Sequence, residues 1–333
     1  MPFSASSLVL GVDGGGSRTR ALLATHDGTV LGFGTAGPSN VNTVGLDRAL
    51  DAFLAATRAA WKSAGLPFTP AASAFIGAAG LRAAGVCKAL VERFVAAGAA
   101  LDGCCGAGSD SEAALAAALA GRPGIVLLVG TGSFCLGRDG AGHRAECGGW
   151  GWLLDDVGGG AFLGLAAMKA AVRALDGRGA PTSLGPCIAA KTDLPSPRSL
   201  PAMIQQAQSL PTLLASLAPL VLEQAREGDR VANEILVQGA TGLGELVAHV
   251  GHALHWNSPP SVVPSGGLGC SGPPYQPLIA SAVERVLPGA RIESPRVPTS
   301  GGALLSALEL TGAFPSDDII ARLSDTCARF DLS

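Results

Sequence analysis

The chain has 333 residues, more than one typical domain core contains and enough for two domains of ordinary size. Hydrophobic residues make up 48% and charged residues 15%, a balance that supplies buried sheets and helices and excludes general disorder. The formal net charge is −3 and the Lys and Arg residues are scattered, which excludes the clustered positive charge that nucleic-acid binding requires.

The sequence also argues against secretion, membrane insertion and a structural metal. Residues 1–10 lack a basic segment followed by a long apolar one, so they do not resemble a secretory signal. The richest apolar run, 125–129, is much shorter than the roughly 18–20 residues of a membrane-spanning helix. None of the eight cysteines forms a CxxC pair or has a histidine at ligand-like spacing. We expect a soluble cytoplasmic protein with reduced cysteines, no membrane partner and no structural zinc.

The first half of the chain opens with two or three predicted antiparallel strands. Residues 8–14 and 20–25 are apolar runs, and Asp27-Gly28 is a strong hairpin turn before 30–34. Apolar residues at helical spacing predict a helix over 46–64. The next predicted elements are a strand at 72–76, a glycine-rich turn at 77–80, a helix at 86–97, a strand near 99–104 and a helix at 109–120.

The second half repeats this order without useful sequence identity. Its elements are a strand at 125–129, a glycine turn at 130–133, strands at 134–137 and 143–147, helices over 159–254, a strand at 261–264, a helix at 275–286, a strand at 291–294, and helices at 301–310 and 317–329 with Ser316 as cap. The repetition predicts two similar α/β domains, 1–121 and 122–333, facing a cleft. The last helix could pack back on the first domain.

Two glycine turns are candidate phosphate-binding elements. The first runs Asp13-Gly14-Gly15-Gly16-Ser17-Arg18-Thr19, and the second is Gly130-Thr131-Gly132-Ser133 after a buried strand. Glycines let several backbone N–H groups point at one anion, and Asp13 could hold Mg²⁺. Each turn alone is equally well explained as a structural hairpin. Their matching positions in the two halves favour the clamping of a polyphosphate, which phosphoryl transfer requires.

Three further motifs could complete an active site. Ser109-Asp110-Ser111 begins a helix and is either a simple N-cap or the position of a base, Asp110, that accepts a hydroxyl proton. The segment 148–158 combines glycines, Trp150, Trp152, Asp155 and Asp156, which suits a sugar but also fits buried tryptophans beside a polar turn. A third motif, the strand 261–264 with the turn Gly266-Gly267, could pass under an adenosine.

In this order the motifs resemble the N-acetylglucosamine kinase and BadF/BadG/BcrA/BcrD ATPase family of the sugar kinase/heat-shock/actin superfamily. The resemblance spans about residues 8–310 and is most specific at 11–19, 130–133 and 148–158. It implies two ribonuclease-H-like, actin-like ATPase domains flanking a nucleotide- and sugar-binding cleft. It further implies an ATP-dependent kinase for an amino sugar, acting on O6 of N-acetylglucosamine or glucosamine, with Mg²⁺ as cofactor. A homodimer is compatible with it.

The resemblance also assigns roles to individual residues. Asp110 would be the catalytic base and Asp13 would hold Mg²⁺ through water. The nucleotide contacts would be Gly14, Gly15, Gly16, Ser17, Thr19, Gly130, Thr131, Gly132, Ser133, Gly266, Gly267 and Gly301. The sugar contacts would be Asn40, Gly77, Gly80, Asp110, Gly149, Trp150 and Asp156.

Two positions depart from the family pattern. Phe134 stands where similar kinases often have an Asn that reaches the sugar, and Val157 replaces the Glu of a Gly-Asp-Glu-Gly motif. We expect one polar sugar contact to be lost or replaced by an apolar one. Two other functions stay open at this point: an ATPase that activates an electron-transfer partner, and a sugar-sensing protein without catalysis.

Overall fold

The computed structural model describes residues 8–16, 18–81, 83–312 and 315–330, which fall into two units. The first unit ends at Arg122 and resumes at Pro295, and the second runs Pro123–Ser294. The predicted domains are 1–121 and 122–333, with the last helix able to pack back on the first domain. In the described part of the chain, no helix is long and apolar enough to cross a membrane.

The first unit is built on a five-stranded mixed sheet. Its strands are β1 (Leu8–Gly14), β2 (Thr19–Thr25), β3 (Val30–Ala36), β4 (Ser73–Ala78) and β5 (Cys105–Ser109), in the order β3-β2-β1-β4-β5. The first three pair antiparallel, as predicted, and β4 and β5 run parallel to β1. The parallel pairs need crossover connections. These are the helices α1 (Val41–Val44), α2 (Leu46–Ser63) and α3 (Ala84–Ala96), and α4 (Asp110–Leu119) follows β5.

The strand predicted near 99–104 is wrong by several residues. Ala100 makes an isolated bridge with Ala71, and the strand itself begins at Cys105. Its position is set by parallel pairing with β4, which aligns Ala74 with Cys105 and Ala78 with Ser109. The glycine-rich β5 has little strand propensity of its own, so its partner rather than its composition fixes where it lies.

The second unit repeats the same sheet plan. Its strands are β6 (Gly124–Val129), β7 (Ser133–Arg138), β8 (Arg144–Gly148), β9 (Ser261–Ser265) and β10 (Arg291–Ile292), in the order β10-β9-β6-β7-β8. Again three strands pair antiparallel and two run parallel. The helices are α5 (Gly160–Leu175), α6 (Leu184–Lys191), α7 (Leu200–Gln206), α8 (Leu210–Ser216), α9 (Ala218–Arg226), α10 (Arg230–Ala253), α11 (Gly266–Gly269) and α12 (Tyr275–Val286). The two halves therefore share one architecture, which confirms the predicted fold class.

Asp229 links the start of α10 to the segment before α6 through hydrogen bonds. Its carboxylate accepts hydrogen bonds from the backbone N–H of Ala232 (3.0 Å), from the Thr182 hydroxyl (2.7 Å) and from the Ser183 N–H (2.7 Å) and hydroxyl (2.8 Å). Burial acts to raise the pKa of Asp229, but these hydrogen bonds outweigh it and lower the pKa to about 2.

The chain returns to the first unit in α13 (Thr299–Glu309) and α14 (Asp317–Ala328). Strand β1 shows why these helices are needed, because its side chains alternate between two apolar cores. Leu8, Leu10 and Val12 pack in a core with α2, while Val9 packs with Leu304 and Leu305 of α13. The sheet of this unit is thus covered on both faces.

Candidate active site

In the first unit, three predicted motifs meet at one edge of the sheet. The parallel register places Asp13 beside Gly77 and Gly77 beside Gly108. The carboxyl ends of β1, β4 and β5 therefore carry, side by side, the first glycine turn, the turn at 79–80 and Asp110. This edge is where open α/β sheets bind their ligands.

The first glycine turn is closed by its own backbone. The Gly15 N–H donates to the Arg18 carbonyl at 3.0 Å, and Gly16 is exposed with open space around its Cα. Gly14 has no such space, because a Cβ there would lie 2.6 Å from the Phe53 ring. Gly16 is therefore open to an anion, whereas the Gly15 N–H is already bonded within the turn and Gly14 is needed for packing. Ser17 lies outside the described residues.

Thr19 differs from its predicted role. Its side chain is fully buried, and its hydroxyl lies 2.7 Å from both the Gly37 carbonyl and Ser39 Oγ. These contacts hold the segment that leads to Asn40, so the hydroxyl is not directed at a phosphate.

Asp13 and Asp110 form an acidic pair at this edge. Burial raises the pKa of Asp13 from 3.8 to about 6; the Asp110 carboxylate adds to the increase, while Arg20 and Arg18 oppose it. A divalent cation would favour the ionised form, so the pair suits a hard, oxygen-preferring ion. Within the described ranges, no group of three or more His, Cys, Asp or Glu could hold a metal unaided.

The helix α4 presents Asp110 without using it as the cap. Ser109 is the N-cap, and its Oγ accepts from the Glu112 N–H at 3.2 Å. Asp110 is the first helical residue, is exposed, and accepts from the Ser111 N–H at 3.0 Å. The capping interpretation thus belongs to Ser109, which leaves a carboxylate oxygen of Asp110 available to an acceptor hydroxyl.

Asn40 and Gly80 lie together, whereas Gly77 does not join them. Asn40 caps α1, its Oδ1 accepts from the Asn42 N–H at 3.0 Å, and a Cβ on Gly80 would lie 3.0 Å from the same Oδ1. Gly77 is a buried strand residue, and a Cβ there would lie 2.7 Å from the Ala113 Cβ. The prediction of a turn beginning at Gly77 is therefore wrong, since β4 continues to Ala78.

In the second unit, the two remaining glycine turns are neighbours. Parallel pairing aligns Leu128 of β6 with Ser265 of β9, so the turn after each strand lies at the same edge. Gly266 has φ +83°, and a Cβ there would lie 2.6 Å from the Val129 carbonyl, while Gly267 is exposed with open space around it. The arrangement suits a nucleotide lying over both turns.

The second glycine turn, 130–133, is hydrogen-bonded to the N-terminus of α5. The N–H groups of Gly160 and Ala161 donate to the Gly130 and Thr131 carbonyls at 2.8 and 2.9 Å. Thr131 is exposed, as a phosphate contact would require. Ser133 differs from its prediction, because it is buried and its hydroxyl donates to the Val157 carbonyl at 3.0 Å.

The loop 149–158 carries an exposed apolar surface. Trp150, Leu153 and Leu154 are 74%, 75% and 79% exposed. Gly149 and Gly151 have φ values of +72° and +95°, which their lack of a Cβ allows. The exposed Trp150 fits the predicted sugar contact better than the alternative of a buried tryptophan; Trp152 instead packs against the hydrophobic core.

Asp156 contacts both this loop and the second glycine turn, a role that the sequence did not indicate. It is 8% exposed, and its Oδ1 accepts from the Gly151 N–H at 3.2 Å. Its Cγ lies 2.8 Å from where a Cβ on Gly132 would stand. Burial raises the pKa of Asp156, and hydrogen bonds from the backbone of Gly151 and Ser133 partly offset this. The carboxylate therefore contacts a predicted nucleotide element and a predicted sugar element at once.

The two departures from the family pattern are packing residues here. The Phe134 ring lies under the loop, 2.8 Å from where a Cβ on Gly149 would stand. Val157 packs in the same way against Gly242 of α10, since a Cβ on Gly242 would lie 2.9 Å from the Val157 Cβ. Gly301, predicted near the adenosine, is buried beside Val297 and Cys327 in the first unit. The structure thus gives each of the three a packing role.

The repeated mixed sheet and the glycine turns at its edges define a protein of the actin-like ATPase fold class. The chain belongs to the BadF/BadG/BcrA/BcrD ATPase family, whose sequence pattern matches residues 10–307.

Individual relatives agree with this assignment. An N-acetylmuramic acid/N-acetylglucosamine kinase of Clostridium acetobutylicum is 31% identical over 259 residues, 78% of this chain and 84% of the relative. An N-acetyl-D-glucosamine kinase of Dictyostelium discoideum is 28% identical over 314 residues, 90% and 98% of the two chains. A solved Chromobacterium violaceum structure, assigned as an N-acetylglucosamine kinase, has 30% identity and a TM-score of 0.73, covering 92% of this chain and 100% of its own. The comparisons confirm the predicted family and agree with the prediction of a kinase-type enzyme.

Proposed function

We propose that this protein is an ATP-dependent amino-sugar kinase that transfers the γ-phosphate to O6 of N-acetylglucosamine or glucosamine. The names of the relatives support the amino-sugar class, and membership of an ATPase family supports the use of ATP. The observation that carries the proposal is the exposed Asp110 beside Asp13, at the sheet edge that also holds Gly16, Asn40 and Gly80. We place the reaction in the cytoplasm, where ATP is available.

The residues divide the chemistry between them. Asp110 would accept the proton of the acceptor hydroxyl while that oxygen bonds to the γ-phosphorus and the bond to the ADP oxygen breaks. Gly16 would contact phosphates through its backbone N–H, and Thr131 through its hydroxyl. Mg²⁺, held through water by Asp13, would neutralise phosphate charge when bound. Trp150 would pack against the apolar face of the sugar ring.

Replacing the base tests the assignment. We expect Asp110→Asn to lower kcat by at least about 10²-fold while changing ATP affinity less than about twofold, because an amide cannot accept the proton. Asp51→Asn, an exposed carboxylate on α2, is the matched control and should leave kcat unchanged. Equal turnover of the two variants would remove Asp110 from the mechanism.

A substrate screen tests the reaction itself. ADP release should be measured with glucosamine, N-acetylglucosamine, N-acetylmannosamine, N-acetylmuramic acid and glucose, and phosphorus–proton NMR correlation should locate the phosphate on the product. We expect release to depend on an amino sugar and the phosphate to be on O6. ATP hydrolysis that no sugar stimulates would contradict the proposal. Sedimentation velocity on the same sample tests whether the chain forms a homodimer.

A further inference from the structure

A groove of about 400 Å³ lies between α5 and α7 in the second unit. Met168 and Leu200 are buried at its base, and Leu165, Val172 and Ile204 form its apolar walls. The α5 positions 165, 168, 169, 172 and 173 follow helical spacing, so one face of that helix makes one side of the groove. These residues are separate from the glycine turns and from the loop 149–158 that make up the candidate active site.

Three cations border this apolar groove. Arg178 is paired with Asp176, with its Nη2 and Nε lying 2.8 and 3.3 Å from Oδ2. The Arg173 Nη2 donates one hydrogen bond, to the Arg178 carbonyl at 3.3 Å. Among the residues that the structure describes, no carboxylate pairs with Arg173 or Lys169. Two uncompensated positive charges therefore lie beside exposed hydrocarbon.

This combination selects for a particular kind of molecule. Apolar walls alone would accept any hydrocarbon, and cations alone would accept any anion, but here both requirements apply together. The planar guanidinium matches the geometry of a carboxylate and the ammonium adds a second positive charge, and the volume falls within the roughly 300–1,000 Å³ of small-molecule sites. We propose that the groove binds a small amphipathic carboxylate, with its carboxylate at the Lys169 and Arg173 side and its hydrocarbon body against the apolar walls.

Calorimetric titration of the full-length protein, without ATP or sugar, tests the chemistry of the ligand. Octanoate should bind saturably and about fifteenfold more tightly than hexanoate, since each of its two additional buried methylenes adds about fourfold, ~0.8 kcal/mol. Octanol lacks the charge and inorganic phosphate lacks the apolar body, so each should bind at least tenfold more weakly than octanoate. Equal binding of octanol or of phosphate would overturn the proposal, as would non-saturable uptake of octanoate.

Variants of exposed residues test the location. Lys169→Gln combined with Arg173→Gln should weaken octanoate binding at least tenfold. Val172→Glu, at a position already 37% exposed, places a competing carboxylate in the groove and should abolish binding. Lys191→Gln, an exposed cation of the same unit outside the groove, is the matched control and should bind octanoate normally. If both groove variants fold, as judged by circular dichroism, and bind octanoate like the control, the site lies elsewhere. Because no step involves sugar or ATP, failure here would leave the proposed kinase reaction untouched.

Discussion

The contact between Gly132 and Asp156 predicts a strong interaction between two substitutions. In Gly132→Ala, the new Cβ would lie 2.8 Å from the Asp156 Cγ, where 3.4 Å is the lower limit of ordinary contact. The carboxylate cannot move away freely, because it accepts from the Gly151 N–H. Overpacking of this kind costs about 1–3 kcal/mol, and loss of a hydrogen bond to a charged group costs about 1.5–3 kcal/mol. We expect Gly132→Ala to lower the free energy of unfolding by about 2 kcal/mol.

Removing the carboxylate should relieve most of this cost. Asp156 has φ +55°, a conformation that glycine adopts readily, so Asp156→Gly removes the obstruction without backbone strain. In that background Gly132→Ala should cost about 0.5 kcal/mol or less, giving an interaction energy of at least about 1 kcal/mol.

Urea denaturation followed by tryptophan fluorescence measures the free energy of unfolding of the natural chain, the two single variants and the double variant. Trp150, Trp152 and Trp256 report on the second unit. Gly267→Ala, with open space around the glycine, is the control and should change the free energy of unfolding by less than about 0.5 kcal/mol. Equal costs of Gly132→Ala in the two backgrounds would refute the contact.

Four further predictions concern other parts of the molecule. Gly302→Ala would place a Cβ 2.8 Å from the Ala113 carbonyl carbon and should cost about 1–3 kcal/mol in urea denaturation. Gly85→Ala, in α3 with open space, should instead stabilise by about 0.5–1 kcal/mol. Trp150→Ala should raise the KM for the sugar severalfold in ADP-release assays, with an unchanged free energy of unfolding because the ring is exposed. The depressed pKa of Asp229 means that its ionised form stabilises the fold above about pH 4, and that this contribution is lost as the pH falls towards 2. Acid titration monitored by circular dichroism should show a shallower loss of stability over this range for Asp229→Asn than for the natural chain.

The regular elements could be predicted where local chemistry determines them. The Asp27-Gly28 turn between two apolar runs predicts the β2–β3 hairpin, and the spacing of Phe53, Thr57 and Trp61 predicts α2. Strand β5 could not be placed in this way, because Gly106 and Gly108 have low strand propensity and the strand exists through its pairing with β4.

The same distinction applies to the candidate site. Turns with several glycines can be recognised from composition, but the directions of individual hydroxyls depend on tertiary partners. Thr19 and Ser133 have suitable chemistry for a phosphate, yet each hydroxyl is bonded to a carbonyl of a distant segment. Asp156 shows the reverse case, since its contact with Gly132 joins residues 24 positions apart and leaves no periodic signal. The presence of Gly-Gly at 301–302 likewise reflects close helix packing that no local pattern reveals.

The return of the chain at Pro295 has a consequence for biosynthesis. The second unit is continuous, so all of its residues have been synthesised before α13 emerges from the ribosome. Until then, the face of β1 that carries Gly11 and Val9 lacks the helix that covers it. At about 5–20 residues per second, the delay is on the order of ten seconds or more. During that interval the first unit is the one exposed to chaperones and proteases, although it was made first, and the second unit is the first that can fold completely.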